Sequence, residues 1–154
     1  MKLMVCFLIV ITSVLSARAQ TAVPIKFDEY GSGLSADEQE RLDEFARELK
    51  EQPREAQAYI LTYGGEHSCQ NDARKNADRA KAYLIKQQIE ESKIVTVEAG
   101  YKEIPTFEFW IVPNGAPPPN VSPSLDPSEV TPDKSCYKTT TRKKAKRTTT
   151  KPKG

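Results

Sequence analysis

Val23, Ile25 and Phe27 alternate with Pro24 and Lys26, the two-residue period of a half-buried strand, with Pro24 tolerable only near a strand start or edge. Gly31, Ser32 and Gly33 break that pattern, and Ser35 with Glu38 has the spacing of a reciprocal helix cap. Leu42, Phe45, Ala46 and Leu49 then recur at helical spacing until Pro53 forbids continuation. A second strand spans residues 58–63 and stops at Gly64 and Gly65. Ala73, Ala77, Ala80 and Leu84, extended by Ile85 and Ile89, predict a second helix with small side chains suited to lying close on a sheet. Residues 94–97 and 107–112 read as the third and fourth strands, and their short connection suits an antiparallel pair. Strands separated by a helix are expected to run parallel.

The predicted fold class is α/β (α+β): a small β-α-β-α-β-β mixed sheet with both helices packed on one face. Its expected core is Ile25, Phe27, Leu42, Phe45, Leu49, Ile60, Leu84, Ile94, Val97, Phe107, Phe109 and Ile111. About 90 residues bury enough surface for a domain of modest stability.

The ends of the chain change the picture. Residues 1–19 carry Lys2, an apolar run from residue 3 to 15 and the small-x-small site Ala17-Arg18-Ala19, the pattern of a cleaved export signal. The run is shorter than the roughly 20 residues that span a bilayer, so no transmembrane segment is expected in the mature chain. From Pro113 the composition becomes proline-rich, which predicts an extended linker over 114–133. Residues 134–154 hold nine Lys and Arg and no acid, and predict a disordered basic tail. The formal charge of +2 therefore hides a polarity, because residues 20–133 carry 12 Lys and Arg against 21 Asp and Glu.

Export leaves Cys69 and Cys136 in an oxidising compartment, where they can form one disulfide or remain two thiols. Glu66, His67 and Cys69 cluster three ligand types with no second cluster, so no metal site is expected, and no cofactor motif occurs. A single histidine and the absence of a nucleophile elbow or phosphate-binding glycine loop argue against an enzyme. A tail of this charge would suit nucleic acid in the cytoplasm, but after export its available partners are anionic envelope polymers.

Phe27-Asp28, then Leu34-Ser35-Ala36-Asp37, Leu42-Asp43, the helix-closing Pro53, the strand ending at a glycine turn, and residues 79–85 before Ile94 together resemble the C-terminal domain of the outer-membrane protein A family. The similarity covers residues 25–112. It implies a periplasmic domain of a Gram-negative-type cell envelope that grips the peptide stem of peptidoglycan, with a carboxylate after the second strand and an arginine in the second helix holding diaminopimelate. Carried over residue by residue, the motif puts Gly65 at the family's aspartate, Glu66 one position beyond, and Asn76 at its arginine. A shifted register places Arg79 there, and Arg74 lies nearby. Glu66, Arg74, Asn76 and Arg79 are thus the candidate ligand residues, since a zwitterion needs a carboxylate for its ammonium and a guanidinium fork for its carboxylate. The leading expectation is a non-catalytic module associated with peptidoglycan or another anionic envelope polymer. The alternative is a scaffold for an envelope protein partner, pairing through residues 107–112 at a sheet edge.

Overall fold

The computed structural model describes residues 22–31 and 35–136, and of Ser35 and Ala36 only the backbone. The expected export signal at 1–19, the break at Ser32 and Gly33, the Ser35 cap and the basic tail beyond Cys136 lie outside the described residues.

The elements follow in the order β1 (Ile25–Gly31), α1 (Ser35–Glu51), β2 (Gln57–Gly64), α2 (Asp72–Lys86), β3 (Ile94–Tyr101) and β4 (Thr106–Val112). They build a mixed α+β fold on one four-stranded sheet ordered β1-β4-β2-β3. β2 and β3 pair in parallel through α2, and β4 runs antiparallel to both β1 and β2, so β1 and β2 share a direction.

The expected β3–β4 hairpin does not form. After β3 the chain crosses the end of β2 and inserts β4 at the centre of the sheet. The cause lies in β4 itself: Phe107, Phe109 and Ile111 are buried on one face, and Thr106, Glu108 and Val112 on the other. A strand buried on both faces is stable only between neighbours. The crossing also explains Gly64 and Gly65. A Cβ on Gly65 would lie 2.5 Å from Pro105 Cδ, and one on Gly64 2.8 Å from the Tyr101 ring. The fourth strand is accordingly no edge, and the partner-pairing geometry expected for it is removed.

One face of the sheet packs on the helices. Leu42, Phe45 and Ala46 of α1 and Ala80 and Leu84 of α2 meet Ala58, Ile60, Ile94, Phe107, Phe109 and Ile111. Phe45 stacks on Phe109 with centroids 4.9 Å apart, and Phe27 meets Phe45 at 5.2 Å. Ile25, expected in the core, is 52 % exposed. It opens the edge strand β1, whose register shifts between Lys26 and Asp28.

The opposite face buries Leu61, Tyr63 and Ala99, with Tyr59, Val97 and Trp110 packed around them. Along this face runs the middle of the expected linker, residues 119–125, while most of the segment 114–133 is exposed. The Ser122 amide donates to the Tyr63 hydroxyl at 3.2 Å. The Ser124 and Leu125 amides donate to the Tyr101 carbonyl, and Leu125 forms a single antiparallel bridge with Tyr101. Pro119 is buried, and Gly100, at φ +96°, makes room for Pro123. Both helices lie on one side, so the apolar residues on the other need a cover. A proline-rich segment can lie along a sheet while adding few amides to its ladder.

Candidate functional site

The two helices are oppositely charged. α1 carries seven acids and three bases, α2 five bases and two acids. Their contact is polar on its outer side: Arg79 forms a fork on Glu38 at 2.9 and 3.0 Å, and Asp43 accepts from both the Tyr83 hydroxyl and the Gln87 amide at 2.8 Å. A groove of about 310 Å³ lies between these helices, lined by Glu38, Leu42, Arg79, Ala82, Tyr83 and Lys86.

This arrangement decides the fate of the four candidate ligand residues. Arg79 also donates to Asn76 Oδ1 at 3.0 Å, so both are engaged on the α1 side of α2. Arg74 is exposed. Glu66 sits in the turn after β2, with Oε2 3.9 Å from His67 Nε2 and its amide donating to the Glu103 carbonyl. Among the described residues no ion pair joins Glu66 to Arg74 or Arg79. Of the guanidiniums that a zwitterion could use, Arg79 is engaged by Glu38, while Arg74 and the Glu66 carboxylate are exposed and not paired with each other among the described residues.

The turn is closed by its own hydrogen bonds. The Gly65 amide donates to Ser68 Oγ at 2.7 Å and the Cys69 amide to Asp72 Oδ2 at 2.9 Å, which leads the chain into α2 through Asn71 at φ 69°. Cys69 is joined to Cys136 as a disulfide. Residues 131–133 lie alongside, with the Thr131 amide donating to the Glu66 carbonyl at 2.9 Å and the Asp133 amide to the His67 carbonyl at 3.2 Å. His67 Nδ1 lies 3.1 Å from the Thr131 carbonyl and 3.3 Å from the Thr131 hydroxyl, so it donates to the one or accepts from the other according to the ring's tautomer. With its sulfur in the disulfide, Cys69 offers no thiolate to a Cys–His pair. Among the described residues no three His, Cys, Asp or Glu side chains gather as metal ligands, and no helix is long and apolar enough to cross a membrane.

A second cluster escaped the sequence reading. Glu108 is 1 % exposed in the middle of β4, yet its carboxylate is fully engaged. Oε1 accepts from Lys102 Nζ at 2.9 Å and Oε2 from Trp110 Nε1 at 3.0 Å, while Lys26 Nζ stands 3.5 Å away. Lys102 reaches Glu29 as well and lies over the Tyr63 ring, 4.2 Å from its centroid. Hydrogen bonds from Lys26 and then Lys102 hold the Glu29 carboxyl below its usual range. Burial pulls the Lys102 ammonium down, but its bonds to Glu29 and Glu108 outweigh that, and its pKa is raised. The one available signal was a glutamate within an otherwise apolar strand, a residue type almost never buried unless paired. Two carboxylates and two ammoniums satisfy one another here, so the cluster is a structural tie between β1, β4 and the loop that crosses β2.

Comparison with known protein families, with curated proteins and with solved structures finds no match for this chain.

Proposed function

We propose that the chain is an exported, non-catalytic module of the cell envelope that associates with peptidoglycan or another anionic envelope polymer, and that its basic tail makes the contact. The observation that carries this reading is the disulfide between Cys69 and Cys136. A disulfide persists in an oxidising compartment, in keeping with the export signal expected at 1–19. It also roots on the acidic body the segment 137–154, whose composition is eight Lys and Arg without an acid. Outside the cytoplasm such a segment meets carboxylate- and phosphate-bearing polymers rather than nucleic acid. We further propose that the scaffold is of the outer-membrane protein A type, supported by the β-α-β-α-β-β order and by the motif residues from Phe27 to Ile94. Engagement of Arg79 by Glu38 favours the tail over the helix as the polymer contact.

Sedimentation of the full chain with purified peptidoglycan tests this. Binding should be lost on truncation after Cys136, weaken as salt shortens the screening length, and survive Glu66→Ala. Binding that persists without the tail and falls on Glu66→Ala would move the contact to the domain. Absence of binding by the full chain at low salt would overturn the proposal.

A further inference from the structure

We propose that the Cys69–Cys136 disulfide is a reducible latch, and that its reduction releases residues 126–136 from the body while the rest of the fold stays closed. The release stands on its own, whatever the tail beyond it binds.

The segment that covers the sheet is held unevenly. Its first half is anchored by the buried Pro119, by the Ser122 amide on the Tyr63 hydroxyl and by two amides on the Tyr101 carbonyl, with Leu125 half-buried beside β3. Beyond Leu125 the character changes. Residues 126–135 are exposed except for the half-buried Val130. Asp126 and Glu129 close a short 3₁₀ turn, Pro127–Glu129, on themselves, with bonds that run within the turn and not to the body. Among the described residues, its hydrogen bonds to the body are two amides on the Glu66 and His67 carbonyls and the contact of the exposed His67 ring with Thr131. Exposed hydrogen bonds of this kind with little apolar burial mark the low end of local stability. The disulfide is the one strong tie at this end, and it closes a loop between residues 67 apart in sequence.

Both cysteines are half-buried rather than enclosed, so an external thiolate can reach them. The step balances with a dithiol as reductant. One thiolate of the dithiol attacks a sulfur of the bridge, the S–S bond breaks, and the displaced cysteine leaves as a thiolate that takes a proton. The second thiol of the reductant then attacks the mixed disulfide and frees the other cysteine. The protein gains two electrons and two protons, and the dithiol becomes a disulfide. Cys136 then moves on a tether of 11 residues that begins after Leu125, a reach of roughly 36 Å. In the oxidised form the same residue is fixed three positions ahead of the start of α2. The redox state of the bridge thus decides whether the basic segment starts from a fixed point or from a free one.

Hydrogen–deuterium exchange on the full chain, oxidised and after treatment with dithiothreitol, tests the latch. Alkylation with mass analysis should count no free thiol of this pair before reduction and two after. Amides of residues 126–136 should exchange at least about tenfold faster after reduction, while β2 and β4 keep their protection. Cys136→Ser should reproduce the reduced pattern without reductant. Free Cys69 and Cys136 in the air-oxidised protein would overturn the proposal. Continued protection of 126–136 after complete reduction, or loss of protection in β2 and β4 together with it, would overturn it as well.

Discussion

Glu108, 1 % exposed at the centre of the sheet, lies 2.9 Å from Lys102 Nζ, and the same ammonium is 2.9 Å from Glu29. A buried carboxylate stripped of its hydration needs such partners. Lys102 stands in the loop that carries the chain across the end of β2, so the ion pair ties the crossing loop to the strand it feeds. Glu108→Ala leaves the Trp110 indole and the Lys102 ammonium short of an acceptor and should cost about 3–5 kcal/mol. Glu108→Gln keeps the shape and one acceptor and should cost about 1–3 kcal/mol. Urea unfolding followed by circular dichroism separates the two. Equal losses would mean that the carboxylate charge, which both variants lose, accounts for the whole cost and that the shape and remaining acceptor of the side chain contribute nothing.

The same cluster sets the pH dependence. The Glu29 carboxyl is held below its ordinary value of 4.5, so its contribution is present above that value and is lost as pH falls through the lower folded one. Lys26 and Lys102 are raised above 10.5: burial opposes this, and their bonds to Glu29 and their attraction to Glu108 prevail. Their contribution is complete below 10.5 and is lost as pH rises through the higher folded values. Burial also raises the Tyr30 phenol, chiefly by desolvation, which adds to the loss on the alkaline side. The urea midpoint should therefore be level between about pH 5 and 10 and fall on both sides. In Lys102→Met the fall on the acid side should become shallower, and an unchanged acid limb would remove Lys102 from this account.

The element order was legible in the sequence because each strand and helix carried its own period. Leu42, Phe45 and Ala46 are buried as their spacing requires, and so are Ala77, Ala80 and Leu84. The place of β4 was not legible, because a short connection says how near two strand ends must be and nothing about which strand lies between them. The clue was present in the run Thr106–Val112, too apolar on both faces for an edge. The course of residues 119–125 was not legible either. Composition records that a proline-rich chain has no core of its own, and says nothing of the Tyr63 hydroxyl and the Tyr101 carbonyl that take the amides of Ser122, Ser124 and Leu125. The candidate ligand residues were found one at a time by motif position. Their partners, Glu38 for Arg79 and the Thr131 segment beside Glu66, are 41 and 65 positions away and only the fold brings them together.

Helix α2 ends in a turn that a glycine would favour. Gln88 stands at φ 66°, with the Ile89 amide closing back on the Leu84 carbonyl at 3.1 Å and the Gln88 amide on Ile85. A residue with a Cβ pays a steric penalty in this left-handed region that glycine does not. Gln88→Gly should raise stability by about 0.5–1 kcal/mol, the steric relief outweighing the extra freedom of the unfolded chain. Thermal unfolding measures it, and a lowered midpoint would show that the Gln88 side chain holds the neighbouring groove with Leu49 and Ile89 together.

The glycine pair at the end of β2 offers the sharpest test of the strand crossing. A Cβ on Gly65 would stand 2.5 Å from Pro105 Cδ and 2.8 Å from Pro105 N, so the obstacle includes backbone and a ring fixed to it. At Gly64 the obstacle is the Tyr101 ring at 2.8 Å, which can turn away. Neither glycine has a left-handed φ, so any cost is steric. Gly65→Ala should then lose about 1–3 kcal/mol, the usual penalty for overpacking, and Gly64→Ala distinctly less. The damage should also be local. Because Lys102 donates its amide to the Gly64 carbonyl at 2.9 Å, displacement of Pro105 should loosen residues 102–105 and speed their amide exchange, while the Ala58–Ile60 stretch beneath the helices stays protected. Equal effects of the two substitutions would mean that Pro105 does not press on the end of β2, and that the chain reaches β4 by a wider path.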